Sequence, residues 1–190
     1  MQQLKIGFCF LAMILMLGSC STTGGNTPVT KRQSILEMRE KVLSELYKQH
    51  PQARTEVASA PGYAVFSNWN VYLFFVSGGT GYGVAKDNRT GKDTYMKMGE
   101  LGAGLGLGLT DFRAVFIFNK RSVMEQFVNK GWEFGGQADA AVKSSQQGYA
   151  AGGRVVISDI TIYQLTEAGL ALQATVQGTK YWKDSDLNNY

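Results

Sequence analysis

The sequence predicts an α+β domain: a strongly twisted antiparallel sheet, forming a partial barrel or sandwich, with an N-terminal helix packed on it. Three observations predict this. Apolar residues recur at a helical period of 3.6 near the start of the chain and again, briefly, after residue 121. Between and beyond, short runs rich in β-branched and aromatic residues follow one another, separated by polar or glycine-rich turns. Glycine, 23 residues in 190, falls largely inside those runs, where it serves close approach, bulges and corners.

The first helix begins at Thr30, which can serve as N-cap. Ile35, Met38, Val42 and Leu46 form its apolar stripe, flanked by Leu36, Leu43 and Tyr47. Lys31, Arg32, Arg39, Glu40, Lys41 and Glu45 fill the remaining surface, and Pro51 enforces a stop near Gln49. A second short helical piece spans 52–58, closed by the turn signal Pro61-Gly62.

Strands follow at 63–67 and 71–76, the latter apolar on both faces, then at 80–86 and 94–98 around a hairpin turn at 87–92. Next, Gly102, Gly104, Gly106 and Gly108 alternate with Ala103, Leu105, Leu107 and Leu109. At a period of two this leaves one face of the strand without side chains, so something must approach it closely. A strand at 112–118 leads into a helix whose Ser122 and Glu125 have the spacing of a capping box, with Val123, Met124, Phe127 and Val128 on its buried side. Strand character returns at 133–142, 149–157, 161–166 and 170–180, with Glu167-Ala168-Gly169 turning the last pair.

Residues 1–19 read as a signal peptide: Lys5, an apolar run over 6–17, then Gly18-Ser19. A spanning helix needs about 20 apolar residues, so this run is short for a membrane anchor. Leu17-Gly18-Ser19-Cys20 resembles the bacterial lipobox, which implies cleavage before Cys20 and a lipid anchor on its thiol. The competing reading is an ordinary signal peptide cut beside a cysteine. Residues 20–29, polar and small around Ser21 to Asn26, read as a flexible tether, and 30–190 as a single domain. By analogy with Gram-negative lipoproteins, Ser21 after the lipid cysteine implies the outer membrane, facing the periplasm.

Cys9 and Cys20 are the only cysteines, so beyond residue 20 there is no disulfide, zinc-thiolate site or cysteine nucleophile. Loss of Lys5 with the signal segment lowers the net charge of +4 by one. Basic and acidic residues are interleaved, which argues against nucleic acid as a partner. His50 is the only histidine and reads as a helix-end residue meeting the helix dipole, not as a base or metal ligand. Asp111, Glu133, Asp139 and Asp159 are available for paired-carboxylate hydrolysis, but their spacing does not recommend them. The glycine run lacks the strand-to-helix setting of a dinucleotide site, and Gly91-Lys92 lacks the upstream glycine of a P-loop. No enzyme activity, metal or cofactor is expected.

The stretch 77–86, the run 102–109, the segment Phe134-Gly135-Gly136-Gln137-Ala138-Asp139-Ala140-Ala141 and the closing Gly169-Leu170-Ala171-Leu172 together resemble the SYLF-domain family. Pro61-Gly62-Tyr63-Ala64-Val65-Phe66 adds to the likeness, which runs from the N-terminal helices to Trp182. Two positions depart from it: Ser67 stands where the family often has proline, and 94–99 stands where it often has a tryptophan-to-proline stretch. The resemblance implies a lipid-facing domain. Relatives in fungi and animals bind membrane lipids, phosphoinositides among them, and some fungal ones bind actin, a role that does not transfer to an exported bacterial protein.

Lys31, Arg32, Arg39, Lys41 and Lys48 are the candidate lipid-binding residues, each contributing about 1 kcal/mol beside anionic head groups. Against this stands an ordinary amphipathic helix whose stripe enters the core. Tyr63, Trp69, Tyr72, Tyr82, Tyr181 and Trp182 form an interfacial girdle or fill a glycine-hollowed core. The leading expectation is a non-enzymatic, lipid-anchored envelope protein binding a membrane lipid or apolar partner. The alternatives are an adaptor for another envelope protein and, behind it, a carboxylate-dependent hydrolase.

Overall fold

The computed structural model describes residues 27–67, 80–100, 113–133, 154–165 and 179–189. Among them eight strands pair in one antiparallel sheet of order β5-β8-β3-β2-β1-β4-β7-β6, which curls into a half-barrel. The strands are β1 (Gly62–Ser67), β2 (Thr80–Asp87), β3 (Asp93–Glu100), β4 (Arg113–Phe118), β5 (Trp132–Glu133), β6 (Arg154–Ile157), β7 (Ile160–Gln164) and β8 (Thr179–Lys183). Helix α1 (Pro28–Gln49) and the short α2 (Ala53–Ser59) pack on one face, and α3 (Arg121–Lys130) on the other. The four-residue helix α4 (Ser185–Asn188) follows β8. Every residue of the central strands β1 and β4 is buried, because helices cover both sides.

Alternation along each strand divides the core in two. On the α3 face Phe66, Phe116, Phe118, Ile160, Ile162 and Tyr181 meet Met124 and Phe127. Bulk there is offset by small residues in the same rows: Gly83 pairs with Phe66 across β1 and β2, and Ala114 pairs with Phe66 from the other side. A methyl group at 83 would strike the Phe66 ring and the Val65 carbonyl, so the glycine lets the ring lie on the sheet. Phe66 then meets Phe116 and Tyr181 edge to face, with centroids 5.4 and 4.6 Å apart, the geometry that ring quadrupoles favour. Where α3 ends, Gly131 takes φ 77° with its α-carbon turned toward the Tyr181 carbonyl, a conformation that a side chain would strain.

On the opposite face Val42, Leu43 and Leu46 of α1 meet Tyr63, Val65, Val115, Ile117 and Tyr163. Ile35 meets Val84 and Leu187. The expected stripe is therefore the buried one, with Met38, Leu36 and Tyr47 at its margins.

Three local expectations need correction. The α1 cap is Thr27, whose Oγ1 accepts from the Thr30 N–H at 3.2 Å. Pro28 at the first helical position needs no partner for its nitrogen, which starts the helix before Thr30. Helix α3 starts after Lys120, and Ser122 lies inside it; Glu125 is turned to Arg121 (2.9 Å) instead of back to a capping backbone. The last described strand runs to Lys183 instead of ending at Lys180, and α4 follows it. The expected strands at 71–76 and 102–109, and most of those at 133–142 and 170–180, lie outside the described residues, as do Cys20, Trp69, Tyr72, Asp111 and Asp139.

Candidate functional site

A helix turns 100° per residue, so positions seven apart lie on nearly the same side and positions nine apart on opposite sides. Arg32 and Arg39 therefore share one flank of α1, Lys41 and Lys48 share the opposite one, and Lys31 lies between. The structure shows that division. Arg39 reaches Asp93 at the start of β3 (2.8 Å), and Lys86 of β2 joins the same carboxylate at 3.4 Å. Burial opposes the Arg39 charge, and Asp93, with Glu40 also beside it (2.9 Å), more than offsets this, raising its pKa. Arg32 donates from Nε to the Leu187 carbonyl at 3.0 Å. The two arginines thus tie α1 to the sheet and to α4, while Lys41 and Lys48 are exposed. The five residues do not form one basic face.

Two further polar seams hold the same helical layer. Arg113 at the start of β4 is 8% exposed and pairs with Glu45 of α1. At the other end of the layer the buried Tyr163 donates its hydroxyl proton to Glu56 of α2 (3.0 Å) and accepts from Arg154 Nε (3.1 Å). Burial and the Glu56 contact push the Tyr163 phenol up, Arg154 opposing. His50, the C-cap of α1, rests its ring 5.2 Å from that of Tyr163, so it is a half-buried packing residue. Tyr63, buried under α1 with Arg39 opposing, has a pKa pushed up to about 12.

The C-terminal turn completes this layer. Asp184 is 2% exposed, caps α4 by accepting from the Asp186 and Leu187 N–H groups, and pairs with Lys97 at 3.3 Å. Leu187 enters the core beside Ile35 and Val84. The Asn188 amide accepts from the Tyr95 N–H at 3.0 Å and donates to the Tyr95 carbonyl at 2.7 Å. The pairing of β8 with β3 ends at Met96; at Tyr95 the Asp184 N–H still reaches the carbonyl at 3.0 Å, and the Asn188 amide supplies the partner of the N–H.

Of the carboxylates considered for hydrolysis, Glu133 is exposed on β5 and Asp159 occupies the β6–β7 turn, paired with Lys120 at 2.9 Å. They come from opposite edges of the sheet. Among the described residues no three potential ligands gather as a metal site, and no helix is long and apolar enough to cross a membrane. Of the aromatic set, Tyr63 and Tyr181 are core, and Tyr82 and Trp182 are half-buried. Sequence reasoning missed the Asp184 to Asn188 turn; its signal was an aspartate placed to cap the residues two and three further on.

The strand ends Ser67, Thr80, Glu100, Arg113, Glu133, Arg154, Gln164 and Thr179 all lie at one end of the sheet, as the antiparallel registers require. A curled glycine-accommodating sheet, a long covering helix and this one-ended organisation define a small α+β domain class. Residues 99–190 match the family described as "Las17-binding protein actin regulator" (Ysc84). The chain is 33% identical over 163 residues to Beta cell expansion factor A of Aeromonas veronii, covering 82% of this chain and 58% of that relative. Both likenesses support a SYLF-family protein. The matched segment supplies β4 to β8, which flank both sides of β1 to β3, so the sheet needs the residues before 99 to be continuous.

Proposed function

We propose that this chain is a lipid-anchored protein of the bacterial envelope, fixed through Cys20, whose SYLF domain binds a membrane lipid and catalyses no reaction. The observation that supports the anchor most strongly is the sequence Leu17-Gly18-Ser19-Cys20 after a short apolar run; one acyl chain holds a protein marginally and two or more hold it stably. The family supports the lipid reading. In this reading the apolar stripe of α1 belongs to the core, and lipid is met by other surfaces, with the exposed Lys41 and Lys48 as candidates beside anionic head groups. The outer membrane, facing the periplasm, is the proposed location.

Cys20→Ala should move the protein from membranes to the soluble periplasmic fraction, and retention on membranes refutes the anchor. Flotation of that variant with vesicles of bacterial phospholipids tests the domain separately. Co-flotation is expected at low salt and should weaken as salt rises. No flotation over the physiological salt range refutes direct lipid binding.

A further inference from the structure

Among the described residues two large apolar side chains are exposed, Val29 at 69% and Val156 at 49%, and Val29 is the one beside the point where the chain enters the domain. It occupies the first turn of α1, between Pro28 and Thr30. Side chains on a helix lean toward its N-terminus, so Val29 points back toward the entering chain. That turn holds no acidic residue, although helix starts favour one, and its charged member is Lys31. Residues 21–26 separate Cys20 from Thr27, and even fully extended that length of chain spans no more than about 25 Å. A lipid on Cys20 therefore holds the start of α1 near the bilayer. It holds the α4 corner there too, because Arg32 fastens α1 to the Leu187 carbonyl at 3.0 Å. The acidic pair of that corner is answered: Asp184 and Asp186 share Lys97 at 3.3 and 3.6 Å.

We propose that the start of α1 is a membrane-contact surface, with Val29 entering the interface of a phospholipid bilayer and the rest of α1 standing away from it. The inference rests on the Cys20 anchor proposed above and adds which part of the anchored domain is turned to the membrane. A lone exposed valine is ordinary on a free protein and too weak to bind a vesicle by itself. On a tethered protein the second contact is intramolecular, at an effective concentration in the millimolar range for a short linker. Burial of the Val29 side chain then biases the domain roughly three- to ten-fold toward contact. Lys41 and Lys48 lie about 18 and 28 Å further along α1 than Val29, so this contact is separate from any lipid that they meet.

The test uses the full chain, processed and acylated in cells, then reconstituted into vesicles of phosphatidylethanolamine and phosphatidylglycerol. No cysteine follows Cys20, so one added thiol labels cleanly. A nitrobenzoxadiazole dye on Thr30→Cys, Lys48→Cys or Gln126→Cys, all exposed positions, reports nearness to the bilayer through quenching by phospholipid that carries a spin label high in its acyl chain. Quenching should be several-fold stronger at Thr30→Cys than at Lys48→Cys, toward the far end of α1, or at Gln126→Cys on α3. Adding Val29→Ser to the Thr30→Cys protein should lower the ratio of docked to undocked domain roughly three- to ten-fold. Equal quenching at the three positions, stronger quenching at Lys48→Cys, or quenching unaltered by Val29→Ser overturns the inference while leaving the anchor standing. Absence of added acyl mass on the intact protein refutes the anchor, and the inference with it.

Discussion

The two faces of the sheet are built on different principles. Under α3 the core is rings and aliphatic groups fitted against glycine and alanine, with Phe66, Phe116, Phe127 and Tyr181 in mutual contact. Burial pushes the Tyr181 phenol far up, so it stays neutral there. Under α1 an equally apolar centre is framed by polar seams: Arg39 with Asp93, Arg113 with Glu45, Tyr163 between Glu56 and Arg154, and Asn188 on the Tyr95 backbone. The first face is specified by volume and the second by directed contacts. Core packing tolerates little change in volume, whereas charge pairs and amide contacts fix the register of a helix on a sheet, so each face should fail in its own way.

The largest effect is expected from Phe116→Ala, which opens a cavity in the volume-specified face and should cost about 3 to 5 kcal/mol in chemical denaturation; a loss under about 1 kcal/mol would mean that this face is loosely packed. Asn188→Ala comes next. It strips the Tyr95 N–H of its side-chain partner, while the Tyr95 carbonyl keeps the Asp184 N–H at 3.0 Å, and should cost about 1 to 3 kcal/mol with faster hydrogen exchange at the Tyr95 amide. Unchanged exchange would show the amide to be dispensable. Arg113→Met should cost about 1 to 2 kcal/mol, since Glu45 regains water when its partner leaves. Loss of the charge pair should also make stability less dependent on salt, and an unaltered salt dependence would count against the seam.

The smallest effect is sought at a clasp that joins α3 to a hairpin tip, where Arg121 holds both oxygens of Asp87 at 2.9 and 2.7 Å. The Arg121 contact, opposed by partial burial and aided by the Thr90 and Arg89 N–H groups, holds the Asp87 carboxyl well below its usual range. A carboxylate whose folded pKa is depressed adds stability above its unfolded value, near 4, and loses it as pH falls toward the folded value. Asp87→Asn should therefore lower stability modestly at pH 7 and flatten the acid loss below pH 4, the two proteins converging as pH falls toward the folded value. An acid limb as steep as that of the wild type would place the titration elsewhere.

Much of this architecture is legible in the sequence because its signals are local. The stripe of Ile35, Val42 and Leu46, the stop at Pro51, the turn at 87–92 and the α+β class with a covering helix follow from period and turn chemistry. Thr27-Pro28 also held the true start of α1, but Thr30 stands closer to the apolar stripe and drew the assignment. Ser122 and Glu125 matched a spacing that the backbone does not use, since Arg121 competes for the glutamate. The division of the basic residues was available from arithmetic on 32, 39, 41 and 48. What local reading cannot supply is partnership across the chain: that Arg39 answers Asp93, or that Asn188 completes the edge of Tyr95. Those depend on register, which is settled only when the whole sheet forms.

The bond from Arg32 to the Leu187 carbonyl joins positions 155 residues apart. A ribosome delivers α1 early and must make nearly the whole sheet before the segment that fastens it emerges, so α1 waits for this partner until residue 187 has been made. Under the export reading, such late closure keeps the polypeptide slack enough to thread a secretion channel and defers its consolidation to the far side of the membrane.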